Sequence, residues 1–386
     1  MRHFDGLESS ERNRLFLREP QAFDRLSPPE TLAVALGATL YVPATRPDLA
    51  MDIEKARQRG ATSVVLCLED AISDDSVLDA EQNVISQLRR YAGTAVTAPM
   101  IFVRVRAPYQ IPLIVKSLDE SVTVLTGFVL PKFTADSGLP FIEEVLAATR
   151  NSGHHLYVMP VVESEEVMFQ ETRWPVLHGI KALLDDYRAH VLAVRIGATD
   201  LSAVFGVRRS RDLTIYDVHM VASVISDVVN LLGRAGPDGF VITGPVWEYY
   251  ESGERRLKPQ LRQTPFIDHH ESEARAWLIA RGLDGLIREV MLDQVNGLTG
   301  KTVIHPSHVS AVHAMSVVTD EEFRDAQDIL GIELANGGVN RSTYRNKMNE
   351  GRPHRAWAER VALRAEIFGV ARPEISFADL LSASVR

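Results

Sequence analysis

Eight short apolar runs rich in β-branched residues recur along this chain, and their rhythm limits the fold more than any other feature. The runs are 38–43 (ATLYVP), 63–70 (SVVLCLED), 100–106 (MIFVRVR), 127–132 (GFVLPK), 156–163 (LYVMPVVE), 191–200 (VLAVRIGATD), 240–246 (FVITGPV) and 301–306 (KTVIHP). Most are continuously apolar rather than alternating, as parallel strands covered on both faces are. Segments with helical spacing lie between them, such as 76–91 and 217–235. Strand and helix alternating through eight units predict an α/β fold, a closed (β/α)8 TIM barrel. An open sheet carrying a dinucleotide would show a glycine-rich loop after its first strand. This chain has Pro43-Ala-Thr-Arg-Pro47 there instead.

Three segments fall outside the rhythm. Residues 1–37 form a polar N-terminal extension, and 38–318 form the barrel. Residues 247–270 are an insertion after the seventh strand, and 319–386 are a C-terminal helical appendage expected to pack on the barrel or on a neighbouring subunit. At 386 residues the chain is long for one domain, but a barrel alone takes roughly 250. A formal net charge of −9 argues against a nucleic-acid partner, because phosphate binding needs a basic face. No apolar stretch reaches the roughly 20 residues of a membrane span, so a cytoplasmic location is expected. The single cysteine, Cys67, sits in an apolar run and reads as a core residue.

In a barrel, chemistry gathers at the C-terminal ends of the strands. Arg46 follows the first strand, and Glu69 and Asp70 end the second. Arg104 and Arg106 lie on the third, Lys132 ends the fourth, Glu163 the fifth, Asp200 the sixth, and His305 the eighth. Converging on one rim, they would make a site with metal-competent carboxylates ringed by cations. A hard divalent ion such as Mg²⁺, or Mn²⁺ in its place, takes one or two carboxylates and completes its shell with water and substrate oxygens. Glu163 and Asp200, on neighbouring strands, could supply those two. Arg46 and Arg104 are candidates to clamp a carboxylate or enolate oxygen through paired hydrogen bonds. Lys132 and Arg106 are further cations for substrate or cofactor. Held this way, a metal would polarise a carbonyl and stabilise an enolate.

At these residues the sequence resembles the citrate lyase β-subunit-like enzymes of the HpcH/HpaI aldolase family, in the phosphoenolpyruvate/pyruvate superfamily. The matching pieces are Tyr41-Val-Pro-Ala-Thr-Arg-Pro, Leu68-Glu-Asp-Ala, Val103-Arg-Val, Leu130-Pro-Lys, Pro160-Val-Val-Glu-Ser, Ile196-Gly-Ala-Thr-Asp-Leu and Val303-Ile-His-Pro, all in family order. The resemblance implies that Glu163 and Asp200 are metal ligands and that Arg104 holds a substrate oxygen. It also implies that Glu69 and Asp70 brace the arginines and that Arg46 lies near the substrate. The implied activity is carbon–carbon cleavage or joining of hydroxy or 2-oxo acids, or of their CoA thioesters, by a homo-oligomer, a trimer or hexamer. Where the family has Arg-Val-Asn, this chain has Arg104-Val-Arg106. With the stretch from Thr243 to Tyr250, the insertion and the long tail, it looks more like a divergent carbon–carbon lyase branch associated with bacterial stress and tellurium-resistance operons. A thioester hydrolase on the same scaffold, or a non-catalytic barrel serving a multi-protein complex, are the alternatives.

Several features admit plainer accounts. His305 could face the site or hydrogen-bond within the barrel. His269, His270 and Glu273 suggest a metal, but Asp268 and Glu271 fit a helix capping box better. Arg341, Arg345, Lys347, Arg352 and Arg355 form a solvated basic loop or an anion site. Trp247, Tyr249 and Tyr250 wall the pocket or pack in an interface.

Overall fold

Each apolar run supplies a strand, and the eight strands close. In the computed structural model, which describes residues 1–94, 97–250, 283–332 and 338–385, the strands are β1 (Ala38–Pro43), β2 (Ser63–Cys67), β3 (Met100–Arg104), β4 (Leu125–Leu130), β5 (Tyr157–Val162), β6 (Val194–Ile196), β7 (Ile242–Trp247) and β8 (Lys301–Val303). They pair in chain order, and β8 returns to β1 with Thr302 opposite Thr39. All the strand pairs are parallel, so each crossing back requires a helix on the outer face. Every residue of β2, β3, β4 and β5 is buried. That is why these runs show no polar alternation.

The outer helices are α1 (Leu49–Gln58), α2 (Val77–Ala92), α3 (Gln110–Leu118), α4 (Ala135–Ser152), α5 (Gln170–Asp186), α6 (His219–Leu232), α7 (Asp284–Val295) and α8 (Ser307–Ser316). In α2, Ala80, Val84, Ile85, Leu88 and Tyr91 recur at helical spacing and face the sheet. Thr134 starts α4 with a reciprocal cap: its hydroxyl accepts from the Ser137 amide at 3.1 Å, and Ser137 Oγ accepts from the Thr134 amide at 3.0 Å. Gly153, in the left-handed region at φ 66°, ends the helix.

Two strands stop well before the charged residues that end their runs. β2 stops at Cys67, so Glu69 and Asp70 stand in the loop beyond it. β6 stops at Ile196, and Asp200 is carried by a short helix, Ala198–Ala203.

A buried ionic network joins β8 to the outer layer. Lys301 Nζ reaches Glu289 at 2.8 Å and Asp293 at 2.7 Å, with all three side chains essentially inaccessible. Glu289 also pairs with Arg209, and Tyr216 donates to Asp293 at 2.8 Å. Arg209 and Tyr216 belong to the long connection from the Asp200 helix to α6, so the network pins that connection against α7.

The N-terminal extension and the tail meet each other. Phe16–Arg18 pairs antiparallel with Val370–Ala371. His3 stacks on Phe368 with ring centroids 4.1 Å apart and sits edge-on to His313, whose Nε2 accepts from the Ala38 amide at 3.1 Å. Two tail helices, α9 (Asp320–Leu330) and α10 (Gly351–Phe368), share a small apolar cluster of Val318, Phe323, Ala326, Ile329, Ala358, Val361, Ala365 and Val370. A last helix, α11 (Phe377–Val385), packs on α8. The appendage therefore packs on its own barrel. Most of the expected insertion, with His269, His270 and Glu273, lies outside the described residues.

Candidate active site

Parallel strands in a closed barrel bring their C-terminal ends to one mouth, and there the sequence-predicted charges meet. Arg104, last residue of β3, is the hub. Its Nη2 lies 2.7 Å from Glu69 Oε2, 3.1 Å from Asp70 Oδ2 and 2.7 Å from Glu163 Oε1. Lys132 extends the cluster, with Nζ 2.8 Å from Glu69 Oε1 and 3.5 Å from Asp70 Oδ1. Its backbone amide donates to Glu163 Oε1 at 3.0 Å. That amide points inward because Lys132 sits in the left-handed region, φ 46°, which is strained for a side-chain-bearing residue. Asp200, from the helix after β6, adds its charge to the group and acts directly on Glu163.

Gly197 lets this happen. A Cβ placed there would lie 2.0 Å from Glu163 Oε2, so only glycine allows the chain leaving β6 to pass the carboxylate.

The electrostatics are unbalanced. Glu69, Asp70, Glu163 and Asp200 face two cations, Arg104 and Lys132. Burial, with Asp200 and Glu69, raises the Glu163 carboxyl to about 7 against Arg104 and the Lys132 amide. Burial and then Asp70 raise Asp200. Burial also raises Glu69, against Arg104 and Lys132. For Asp70 burial is again the largest influence, but the hydrogen bond with Glu69 and the two cations outweigh it and lower its carboxyl. Burial disfavours charge on Arg104, yet Glu163, Tyr41 and Glu69 hold it firmly protonated.

Not every candidate joins. Arg46, expected at the substrate, lies on the surface with its guanidinium on Asp52 at 2.9 Å, because the loop after β1 turns outward along α1. Arg106 turns from the mouth to brace the loop after β2: it pairs with Asp74, and its Nη2 donates to the carbonyls of Glu69 at 3.1 Å and Ile72 at 3.3 Å. His305 bonds Ser307 Oγ through Nδ1 at 2.7 Å and stacks on Tyr250 at 4.8 Å. Cys67 is buried, and burial raises its thiol. Of the tail's cations, Lys347 is held by Glu321 and Asp325, both at 2.7 Å.

Beneath the mouth the barrel interior holds a buried charge that the sequence reading did not single out. Arg195 on β6 is fully buried, close to Thr39, Met159, Thr302 and Tyr41. The signal was present: a charge inside an apolar strand.

Among the described residues, no three metal-competent side chains form a closed ligand set. A two-carboxylate site with an uncompensated negative charge fits a Mg²⁺-type ion, which leaves most of its shell to water and substrate.

Comparison with known proteins places these features. A solved citrate lyase from Burkholderia xenovorans LB400 superposes with a TM-score of 0.61 at 16% identity, covering 90% of this chain and 96% of that one. CitE from Mycobacterium tuberculosis, solved with magnesium, acetoacetate and coenzyme A, gives 0.52 at 19% identity, covering 86% and 99%. Malate synthase from Haloferax volcanii, a magnesium and glyoxylate complex, gives 0.50 at 13%, covering 71% and 73%. At such identities the likeness bears on the fold. No curated protein matches the chain. A family profile does, over residues 30–370: this chain belongs to the C–C bond lyase family of the TIM-barrel fold.

Proposed function

We propose that the chain is a Mg²⁺-dependent carbon–carbon lyase or aldolase acting on a hydroxy acid or 2-oxo acid, free or as a CoA thioester. One observation carries the metal assignment. The mouth gathers four carboxylates against two cations, and burial and mutual repulsion drive Glu163 up to about 7. Such a group is costly in the folded chain unless a further positive charge completes it. Glu163 and Asp200 would hold the ion. When bound, Mg²⁺ supplies Lewis-acid stabilisation to a carbonyl oxygen beside the reacting bond.

The chain's own groups do the rest. Arg104 orients Glu69, Asp70 and Glu163 and keeps positive charge beside the oxygen that becomes negative. Lys132 offsets Glu69 and Asp70. The departure at Arg106, which braces the loop bearing Glu69 and Asp70, together with the Thr243–Tyr250 stretch, supports placing the chain on the divergent, stress-associated branch. Assembly as a homo-oligomer, trimer or hexamer, is part of the proposal.

The test is cleavage of a panel of hydroxy acids and their CoA thioesters with Mg²⁺ or with EDTA. Turnover should require Mg²⁺ and fall in Asp200→Ala by roughly a hundredfold or more, beyond the usual loss of an outer-shell partner. Turnover that survives both EDTA and the substitution would refute the assignment.

A further inference from the structure

Below the acidic mouth lies a zone of opposite charge. Alternation along β1 sends Thr39 and Tyr41 to the same face, and contacts with Arg195 from across the sheet show that this face is the barrel interior. Arg195 is 1% exposed. Its Nη1 lies 3.4 Å from Thr39 Oγ1 and 3.8 Å from Met159 Sδ, and its Nη2 donates to Thr302 Oγ1. Its Nε, also buried, has no hydrogen-bond partner. The Tyr41 phenol is its hydrogen-bonding neighbour and Arg104 repels it, with no carboxylate among the groups that act on it. TIM-barrel interiors are normally filled by branched apolar residues. An unpaired guanidinium there is expensive, and hydroxyls compensate it weakly.

Tyr41 links this charge to the mouth. Its ring lies 5.4 Å from the Arg195 guanidinium carbon. Thr39, one step deeper, is sealed at 1% exposure, whereas Tyr41 keeps partial access. Burial raises its phenol, while the charges of Arg195 and Arg104 lower it and that of Glu163 raises it, so it lies within reach of both the floor and the rim. The pocket is therefore polarised along the barrel axis. The rim carries excess negative charge. Arg104 directs Nη2 to three carboxylates, whereas among the described residues no carboxylate pairs with Arg195, on the floor.

Granted the metal-dependent function above, we infer that the Tyr41 hydroxyl is a substrate-binding hydrogen-bond donor on the pocket floor. It takes an anionic oxygen of a 2-oxo acid, with Arg195 behind it as the positioning residue. A small acid entering the mouth then meets carboxylates, and any cation they hold, at the rim, and a donor backed by positive charge below. That sets its orientation. Tyr41 thus selects small substrates that present an anionic oxygen to the floor while their other end stays at the rim.

The probe is pyruvate titrated by calorimetry into Mn²⁺-loaded protein, beside Mn²⁺ alone. Tyr41→Phe should leave Mn²⁺ affinity at the wild-type value and weaken pyruvate by tenfold to on the order of a hundredfold, the scale of one hydrogen bond to a charged acceptor. Arg195→Met should weaken pyruvate likewise, and Arg195→Lys should recover part of the loss, which a purely packing role would not predict. Circular dichroism checks each fold; if Arg195→Met does not fold, Tyr41→Phe decides. Unchanged pyruvate affinity in Tyr41→Phe overturns the inference and leaves the metal site standing. Loss of Mn²⁺ affinity in Tyr41→Phe overturns it too, since the residue would then be structural to the rim. A wild type that binds Mn²⁺ but not pyruvate removes the 2-oxo acid, and this inference with it. A wild type that binds neither removes the metal-dependent function as well.

Discussion

Glu163 shows how one residue can be placed against its own stability. It is 3% exposed, it accepts from the Lys132 amide and from Arg104, and it still sits at about 7 because burial and neighbouring carboxylates outweigh both donors. A carboxyl raised on folding contributes stability that is complete below its unfolded value and is lost as pH rises through the folded one. The metal-free protein should therefore lose stability from this residue between about pH 4.5 and 7. Glu163→Gln removes that penalty. Its melting temperature without metal should exceed the wild type's at pH 8, by a stabilisation on the order of 2–3 kcal/mol, and the difference should shrink toward pH 4.5. Thermal unfolding in EDTA across that range checks this; a variant less stable than wild type at pH 8 would show that Glu163 is satisfied by its protein partners alone. Sequence revealed that Glu163 ends a strand. It did not reveal Gly197 yielding the space beside it, because that depends on how two neighbouring strands approach.

At the scale of elements, the eight apolar runs gave the strands nearly in place, since a run buried on both faces leaves the same trace in any parallel sheet. Boundaries were less legible. The run 191–200 reads as one strand, but the chain leaves the sheet after Ile196 and coils into the Asp200 helix. Arg46 depends on the same kind of detail: its exposed guanidinium pairs with Asp52 on α1 rather than with the residues at the mouth. Lys301 was hidden differently. A lysine opening a strand looks solvated, yet it is buried against Glu289 and Asp293 on α7. Lys301→Met should leave two buried carboxylates short of a partner and destabilise the protein by about 3–5 kcal/mol, the usual result of removing one side of a buried ion pair. Urea unfolding at neutral pH measures it. A loss below about 1 kcal/mol, in the range of an exposed pair, would mean the network is hydrated and does not tie β8 to α7.

For the whole molecule, the barrel was legible and its additions were legible only as departures from the rhythm. What they do became clear from packing: the N-terminal extension and the tail close over the N-terminal end of β1, with His3 and His313 at the seam. Burial lowers both imidazoles; it holds His313 near 3, and the His313 charge would lower His3 further. A base lowered on folding contributes stability that is present above its unfolded value and is lost as pH falls toward the folded one. Acid should therefore loosen this seam from about pH 6.5 downward. His313→Gln, which keeps an acceptor for the Ala38 amide without titrating, should move the acid-unfolding midpoint to lower pH in a circular dichroism titration. An unchanged or higher midpoint would place the acid-sensitive step elsewhere. Among the described residues no helix is long and apolar enough to cross a membrane.

The central claim is that Glu163 and Asp200 together hold a divalent ion at the barrel mouth. Calorimetric titration of Mn²⁺ into wild type and Asp200→Ala, at a pH above 7 where Glu163 is ionised, tests it most directly. The account predicts a single saturable site in wild type, tightened by pyruvate and lost in Asp200→Ala while the fold persists. Equal binding by both proteins, or none by either, would contradict it.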